Sequence, residues 1–498
     1  MALQETAGDD DSRPLPYRSA RALRSALGKR QISAVELLEE HLKQFRALNP
    51  ALNVVVATDI DGARAAAKRA DAVLASGEAG PLTGLPMTVK DVFEVVGMPA
   101  TCGLPALANH RPMRDADAVA ALRAAGAVIW GKTNVPAGAV DHQSFNSVYG
   151  LSRNPWNPER TPGGSSGGAA AAVAAGMTPL ELCSDIGGSI RVPSHFNGVY
   201  GMKPSWGLVS GRGHIPPMPG ARGKTPLGVY GPIARSAFDL ELVLDVIAGA
   251  DDLDRKAWSV RLPGARRERL RDFRVALWLD AYPLDRDYQS AIEDFVEDLE
   301  RIGVRVSRDS RPEVDPAASY DTYLAVLMAL EGAGAPDKDY AAQVEAGRRA
   351  QDRESYAAIV GRYMSQSVRD LGVAESRREA LMRCWRTFFE SHDVLICPVY
   401  PCVAFPHDTS GDGHMAQYDR RLQVSGRSIP YLDGLKWPGL ATVAELPATA
   451  MPTGRLVGGL PAGVQVIGPY LEDRTPIRFA QLVERELPGY RMPPSASA

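Results

Sequence analysis

The chain has 498 residues, of which 45% are hydrophobic and 23% charged, an ordinary composition for a globular protein with a large buried core. Its 56 basic and 59 acidic residues leave a net charge of −3, which argues against nucleic acid and against an anionic membrane as partners. Five cysteines in so long a chain do not form a disulfide framework, and neither a second cysteine pair nor a histidine cluster completes a zinc pattern around Cys397 and Cys402.

The first predicted element is a tail. Residues 1–17 are acidic and polar, and they lack the basic start and apolar run of a secretion signal. We therefore expect disorder there. No stretch approaches the ~18 apolar residues of a membrane span. The sequence favours a cytoplasmic enzyme without membrane contact.

Helical periodicity then covers residues 18–48, where Ser33 and Glu36 have the spacing of a capping box. Farther on, short apolar runs alternate with helical segments, which favours an α/β fold with a buried mixed sheet. Glycine and proline concentrate between Ser205 and Pro232 and predict an irregular loop. The predicted strands are 85–89, 127–130, 274–279 and 304–306, and the predicted helices are 117–125 and 288–302.

Two glycine-rich turns each present a serine. GGSSGG at 163–168 precedes an alanine-rich helix, and DIGGSIR spans 185–191. Consecutive small residues let several backbone amides point at one atom, as in an oxyanion hole. Taken alone, the first turn is also typical of a linker or of a phosphate-binding loop. The alanines that follow replace the P-loop lysine, and apolar periodic sequence on both sides disfavours a linker.

A serine nucleophile needs a base, and the sequence offers eight histidines or a lysine. None of the histidines stands in a nucleophile-elbow motif, and we interpret His195, six residues after Ser189, as structural. Lys90 ends the apolar run 85–89, where burial would lower its pKa towards that of a working base. A surface lysine with its stem along the protein is the alternative, and position alone leaves both open.

Taken together, these motifs resemble the amidase signature family. TVKD at 88–91, GGSSGG and DIGGSIR have the family's order, with Ser165 following Lys90 by 75 residues and Ser189 following Ser165 by 24. Flanking motifs, among them LPAGVQVIG at 460–468, extend the resemblance from about residue 18 to about residue 487.

The resemblance implies a fold and its boundaries. One α/β domain would span 18–487, with a twisted mixed sheet of about eleven strands surrounded by α-helices. A helix-rich variable cover would occupy about 308–437, and residues 488–498 would form a flexible C-terminal tail.

The resemblance also implies residue roles. Ser189 would be the nucleophile, Ser165, held by a cis peptide, would relay a proton, and Lys90 would be the base. Asp185 and Arg191 would pair to hold the second turn. No metal and no organic cofactor is implied. The oxyanion hole would consist of four consecutive backbone amides, those of Ile186, Gly187, Gly188 and Ser189.

Substrate contacts follow from the resemblance less directly. The segment 138–146 lies where the family lines its acyl pocket, which implies contacts from Ala139, Gln143 and Ser165. Asp141, His142 and Phe145 depart from the family's small residues there and leave the substrate open. Four aromatic residues of the variable region suggest an apolar or aryl ligand, with core packing as the alternative: Tyr320, Tyr323, Tyr431 and Trp437.

The expected function is hydrolysis of C–N acyl bonds in small-molecule amides, including aryl amides and anilides, with carbamates and aryl esters as further candidates. The alternative is the glutaminase subunit of a tRNA-dependent amidotransferase, which requires partner subunits and a glutamine pocket. No clear clamp for the glutamine carboxylate is visible. A non-catalytic binding module is disfavoured because Lys90, Ser165 and Ser189 are all present. A homodimer is left open.

Overall fold

A computed structural model describes residues 12–221, 224–410 and 414–497. Its centre is one eleven-stranded sheet with the strand order β1-β3-β2-β6-β8-β7-β14-β15-β11-β9-β10, and β4-β5 and β12-β13 form two small hairpins. The strands are β1 Val55–Thr58, β2 Pro86–Lys90, β3 Val128–Thr133, β4 Phe145–Asn146, β5 Gly150–Leu151, β6 Leu180–Asp185, β7 Tyr200–Lys203, β8 Val229–Ala234, β9 Arg274–Leu277, β10 Arg305–Ser307, β11 Val394–Pro398, β12 Arg421–Val424, β13 Arg427–Pro430, β14 Ala448–Val457 and β15 Leu460–Ile467. The predicted α/β fold with a mixed sheet of about eleven strands is confirmed.

Helices surround this sheet. Those in the described residues are α1 Ala20–Gly28, α2 Ala34–Leu52, α3 Ile60–Ser76, α4 Asp117–Ala124, α5 Gly167–Ala174, α6 Arg191–Asn197, α7 Ala237–Ile247, α8 Arg286–Arg301, α9 Pro316–Gly334, α10 Asp337–Arg349, α11 Tyr356–Met364, α12 Val368–Ser391, α13 Lys436–Val443 and α14 Arg474–Glu486. None of these combines the length and apolarity that crossing a bilayer requires.

Parallel pairing places the end of β2 and the end of β6 at the same edge of the sheet. Strand β2 pairs in parallel with β3 on one side and with β6 on the other. Because the carboxyl ends of parallel strands meet at the same edge, Lys90 at the end of β2 lies beside Asp185 at the end of β6. Every residue of β2 and β6 is buried, including the polar Lys90 and Asp185 at their ends.

The first predicted helix is two helices in the structure. A turn after Gly28 with Arg30 at a φ of 55° separates α1 from α2. The predicted capping box of Ser33 and Glu36 is confirmed, and it begins α2. Similarly, the predicted loop between Ser205 and Pro232 is shorter, because β8 begins at Val229.

Both ends of the described chain are anchored by a buried tyrosine. Residues 1–11 of the predicted tail lie outside the described residues, but Leu15–Tyr17 form a 3-10 turn in which Tyr17 is buried. At the other end, buried Tyr490 donates its hydroxyl hydrogen to Ala174 O at 2.8 Å. Packed structure therefore extends beyond both predicted boundaries, residue 17 and residue 487.

Helices α9 to α12 form a cover, the term used below for these four helices. They lie within the predicted variable region 308–437. Apolar residues of α9, α11 and α12 pack with those of α13 into a second core cluster that includes Tyr323, Trp385 and Leu435. Ile186, in the second glycine-rich turn, borders this cluster. The cover thus meets the sheet edge at the point where β6 ends.

Candidate active site

Lys90 and Ser165 are in direct contact. Lys90 Nζ donates to Ser165 Oγ at 2.7 Å and to Ser184 Oγ at 3.1 Å. Lys90 is fully buried, which excludes the surface alternative. Burial lowers its pKa to about 8, although the carboxylates of Asp185 and Glu181 oppose the shift. The ammonium therefore loses its proton readily enough to act as a base near neutral pH.

The first glycine-rich turn is shaped by close packing. The Gly164–Ser165 peptide is cis, as the resemblance implied. A Cβ on Gly164 would lie 2.2 Å from Asp141 O and 2.7 Å from Gln143 N, so only glycine fits against the 138–146 segment. Helix α5 begins at Gly167, directly after the two serines. The packing of this segment thus fixes where Ser165 lies.

The second turn is organised around the carboxylate of Asp185. Its oxygens accept from Gly188 N at 2.9 Å and from Ile190 N at 3.0 Å. Arg191 completes the predicted pair, with Nη2 2.8 Å from Asp185 Oδ1 and Nε 3.1 Å from Oδ2. Burial alone would raise the pKa of Asp185, but Arg191 holds it well below its usual range. The carboxylate is therefore ionised and stabilises the turn.

The two turns also contact each other, because Ser166 N donates to Ser189 O at 3.2 Å. Ser165 and Ser189 are 2% and 6% exposed, so both hydroxyls lie in a site that is largely shielded from bulk water. One hydrogen bond thus links the segment that carries the predicted relay to the segment that carries the predicted nucleophile.

Two backbone carbonyls of the second turn accept hydrogen bonds from side chains that lie outside the turn. Tyr323 on α9 donates its hydroxyl hydrogen to Ile186 O at 2.9 Å. His142 Nε2 lies 2.9 Å from Gly187 O, and burial lowers the pKa of His142 to about 4. The ring is therefore neutral and donates through Nε2. Sequence analysis considered both residues only as candidates for the substrate pocket, because no local motif links them to residues 186–187.

One of the four predicted oxyanion donors needs correction. Gly188 N–H is already donated to Asp185 Oδ1, and a hydrogen directed at a carboxylate is not available to an oxyanion. The amides of Ile186, Gly187 and Ser189 have no acceptor among the described residues. These three amides, rather than four, are the candidates for stabilising a negative oxygen.

Comparisons with known proteins identify the family of the chain. A family model described as "Amidase" matches residues 36–476. The chain belongs to the amidase signature family. It is 34% identical to a glutamyl-tRNA(Gln) amidotransferase subunit of Roseiflexus sp. (strain RS-1), over 93% of this chain and 95% of the relative.

Solved amidase signature structures share the fold over nearly the whole chain. A bacterial aryl acylamidase of this family superposes with a TM-score of 0.79 at 25% identity, covering 95% of this chain and 97% of the other. A 6-aminohexanoate cyclic dimer hydrolase superposes with a TM-score of 0.76, also at 25% identity, covering 97% and 99%. Enzymes with unlike names are thus built on this one fold.

Gln143, one of the predicted substrate-binding residues, is hydrogen-bonded to the backbone of Asp408. Its Nε2 donates to Asp408 O at 2.7 Å, and its Oε1 accepts from Asp408 N at 2.8 Å. One donor and one acceptor position of the fully buried amide are thus occupied by the backbone of Asp408. A substrate contact from Gln143 stays a prediction. Ala139 lies in a short 3-10 turn with a φ of 61° and is half-buried.

Asp141 ties the 138–146 segment to a distant part of the chain. The buried carboxylate of Asp141 accepts from Arg420 Nη1 at 2.7 Å and from Tyr431 Oη at 2.5 Å. The guanidinium of Arg420 also lies over the ring of Phe145, 5.5 Å from its centre. Arg420 directly precedes β12 and Tyr431 directly follows β13. Their contacts therefore join the β12–β13 hairpin to the 138–146 segment, which packs against Gly164.

The aromatic residues divide between core and site. Trp437 is fully buried and donates to Pro283 O, and Tyr431 is held by Asp141, so both belong to the core. Tyr320 bonds Leu432 O at 2.9 Å. Tyr323 alone among the four contacts the second turn.

The interpretation of His195 as structural is consistent with its bonds. Its Nδ1 accepts from Gly463 N at 2.8 Å, and Nε2 lies 3.2 Å from Cys402 O. With both ring nitrogens on backbone groups, His195 has no nitrogen free to serve as a base.

Proposed function

We propose that this chain hydrolyses C–N acyl bonds of compact, largely apolar amides, including aryl amides and anilides, with carbamates and aryl esters as further substrates. The observation that carries the proposal is the 2.7 Å contact between a buried lysine of lowered pKa and Ser165, in a turn bonded to that of Ser189. The three residues supply base, relay and nucleophile.

The acylation step follows from these groups. Ser189 Oγ attacks the acyl carbon while its proton passes to Ser165, whose own proton passes to neutral Lys90. The carbonyl oxygen becomes an oxyanion and accepts hydrogen bonds from the free amides of the second turn. The protonated Lys90 then returns a proton through Ser165 to the leaving nitrogen, and the C–N bond breaks to give an acyl-enzyme and a neutral amine.

Deacylation repeats the cycle with water. Water attacks the acyl carbon, gives its proton through Ser165 to Lys90, and Ser189 leaves with a proton returned along the same route. Because one relay serves both the nucleophile and the leaving group, a poorly leaving amine can be expelled. A carbamate presents the same carbonyl and nitrogen, and an aryl ester needs less help from the relay.

The charges around the site favour a neutral substrate. Three described cations around the site are ion-paired: Arg191 with Asp185 at 2.8 Å, Arg420 with Asp141 at 2.7 Å, and Lys436 with Asp433 at 3.0 Å. An anionic substrate group would have to compete with a protein carboxylate for each of them. The apolar residues beside the second turn, Ile186, Tyr323 and Leu435, suit an apolar substrate group better.

The second candidate is the glutaminase subunit of a tRNA-dependent amidotransferase. The observation that favours it is the 34% identity with the Roseiflexus amidotransferase subunit over nearly the full length of both chains. The same Ser189, Ser165 and Lys90 would release ammonia from glutamine. The paired cations described above weigh against it, because free glutamine carries an α-carboxylate.

The test compares substrates on the purified chain alone. We expect kcat/KM for a nitroanilide and for an aryl carbamate to exceed that for glutamine and for a long-chain primary amide. A preference of tenfold or more for glutamine, about 1.4 kcal/mol in transition-state stabilisation, would favour the amidotransferase function instead. Inactivity of the isolated chain on all four substrates would also count against a stand-alone hydrolase.

A further inference from the structure

We infer that Tyr323 is a positioning residue of the oxyanion site, through which the cover sets the direction of the Gly187 amide. The inference rests on the proposed function and deepens it. Its starting point is a single contact across the molecule: the hydroxyl of Tyr323, on α9, donates to Ile186 O at 2.9 Å. No other element of the cover is hydrogen-bonded to the second turn within the described residues.

The geometry of a peptide bond gives this contact its consequence. Ile186 O and Gly187 N–H belong to the same planar peptide unit, and in a trans unit the two point in opposite directions. A hydroxyl that holds the carbonyl on the side of α9 therefore holds the amide hydrogen of Gly187 on the side away from α9. Gly187 N is one of the three amides for which the described residues provide no acceptor.

The neighbouring peptide unit obeys the same rule. His142 holds Gly187 O at 2.9 Å, and on the opposite side Gly188 N donates to Asp185 Oδ1 at 2.9 Å. The carbonyls of Ile186 and Gly187 are thus both fixed by side chains from outside the turn. The difference is that the Gly188 amide ends on a carboxylate, whereas the Gly187 amide remains available to a reacting oxygen.

Tyr323 is itself held firmly. It is fully buried, and its ring lies against Gly439 of α13, where an added Cβ would come within 3.1 Å of Cδ1. Leu435 packs beside the same hydroxyl, because a Cβ added to Gly187 would lie 2.8 Å from Leu435 Cδ2 and 3.4 Å from Tyr323 Oη. Burial raises the pKa of Tyr323, so its hydroxyl keeps the hydrogen that it donates. A fixed donor of this kind reduces the reorganisation that the turn needs as the oxyanion forms.

The test is Tyr323→Phe, which removes the hydroxyl and keeps the ring. The matched control is Tyr320→Phe on the same helix: its ring lies 6.3 Å from that of Tyr323, but its hydroxyl bonds Leu432 O and Tyr356 Oη instead of the turn. Two rates are measured for each protein: hydrolysis of a nitroanilide, and labelling of Ser189 by a fluorophosphonate, whose phosphoryl oxygen also needs the oxyanion site.

For Tyr323→Phe we expect kcat and the labelling rate to fall together by about tenfold, with KM within about twofold of wild type. The pH dependence should not move, because Lys90 is untouched. Tyr320→Phe should keep both rates within about twofold. If Tyr323→Phe does not fold, 3,5-difluorotyrosine at position 323 keeps the hydroxyl and the fold and changes the strength of donation, and the two rates should still shift together.

Three outcomes would overturn the inference: unchanged kcat and labelling in Tyr323→Phe, a rise in KM at constant kcat, which would make Tyr323 a substrate contact, or an equal loss in Tyr320→Phe. Labelling separates this inference from the proposed function. A wild-type protein that labels at Ser189 but hydrolyses no anilide would refute the substrate proposal, while the labelling rates would still test Tyr323. Wild-type protein that does not label at all would refute both.

Discussion

The sheet edge and the cover contribute to one site in different ways. At the sheet edge, charged groups are buried and paired within a few residues of the turns, as with Asp185 and Arg191. The cover contacts the turns through one hydrogen bond, from the hydroxyl of Tyr323. Its residue Glu331, on α9, is half-buried, and no described cation offsets the charge of its carboxylate. The difference suggests that the edge holds the chemistry constant while the cover can vary with the substrate.

If the catalytic residues lie at the sheet edge, Ser189→Ala should cause the largest loss of kcat. We expect kcat to fall by about 10⁴-fold or more, because no other hydroxyl can form the acyl-enzyme. Ser165→Ala should leave a small remainder, since it removes the relay but not the nucleophile. Mass spectrometry after fluorophosphonate treatment provides the check. An adduct on Ser165 or Ser166 with Ser189 unmodified would reverse the assignment.

Much of the edge could be predicted from the sequence because its residues are close along the chain or end neighbouring strands. Lys90 directly follows an apolar run, and Asp185 and Arg191 flank one turn. Ser184 was missed although it precedes Asp185, because the sequence of a strand does not indicate which residues its side chains contact. Gly188 was misassigned because its amide direction depends on where the carboxylate of Asp185 turns.

The cover could not be predicted in the same way. Tyr323 is 137 residues from Ile186 in the sequence, and their contact depends on how α9 packs against α13. The bonds of Gln143 to the backbone of Asp408, 265 residues away, could not be foreseen either. Long-range packing decides these contacts, and no local pattern encodes it.

The next effect, on the pH dependence of the rate, tests the electrostatics of the edge. Lys90 acts only when neutral, and burial lowers its pKa to about 8. Below that pH the neutral fraction falls about tenfold per unit, so kcat/KM should rise with pH and level off above pH 8. Lys90→Ala should remove the rise together with most activity.

Lys203 is the control for this assignment. It is also fully buried, with a pKa lowered by burial to about 7, but its ammonium donates to Pro204 O and Leu446 O rather than to a serine. Lys203→Met should keep the rising limb near pH 8 whatever it does to stability. A limb that disappears with Lys203 and survives Lys90→Ala would exclude the proton relay.

A smaller effect is expected where the segment around β12 docks on the edge. Arg420→Met leaves Asp141 buried without its cation and should reduce the free energy of unfolding by about 3 kcal/mol. Arg421, the next residue, is exposed, so Arg421→Met should change little. Denaturant unfolding checks both. If the double variant with Asp141→Asn is no more stable than Arg420→Met alone, the pair is not the cause.

The smallest effect concerns Glu331 and tests whether the cover carries an unpaired charge. Burial raises the pKa of Glu331 from 4.5 to about 7. Below pH 4.5 the folded and unfolded chains both hold the proton. Between pH 4.5 and 7 the unfolded chain loses the proton first, so the free energy of unfolding falls as pH rises.

Glu331→Gln should therefore stabilise the protein at pH 8 and have no effect at pH 4. The gain at pH 8 should be on the order of 1 kcal/mol, because the side chain is only half-buried. The exposed Glu354→Gln is the control, measured by urea unfolding at both pH values. Equal stability of wild type and Glu331→Gln at pH 8 would mean that the carboxylate is solvated, and the contrast between edge and cover would lose its electrostatic part.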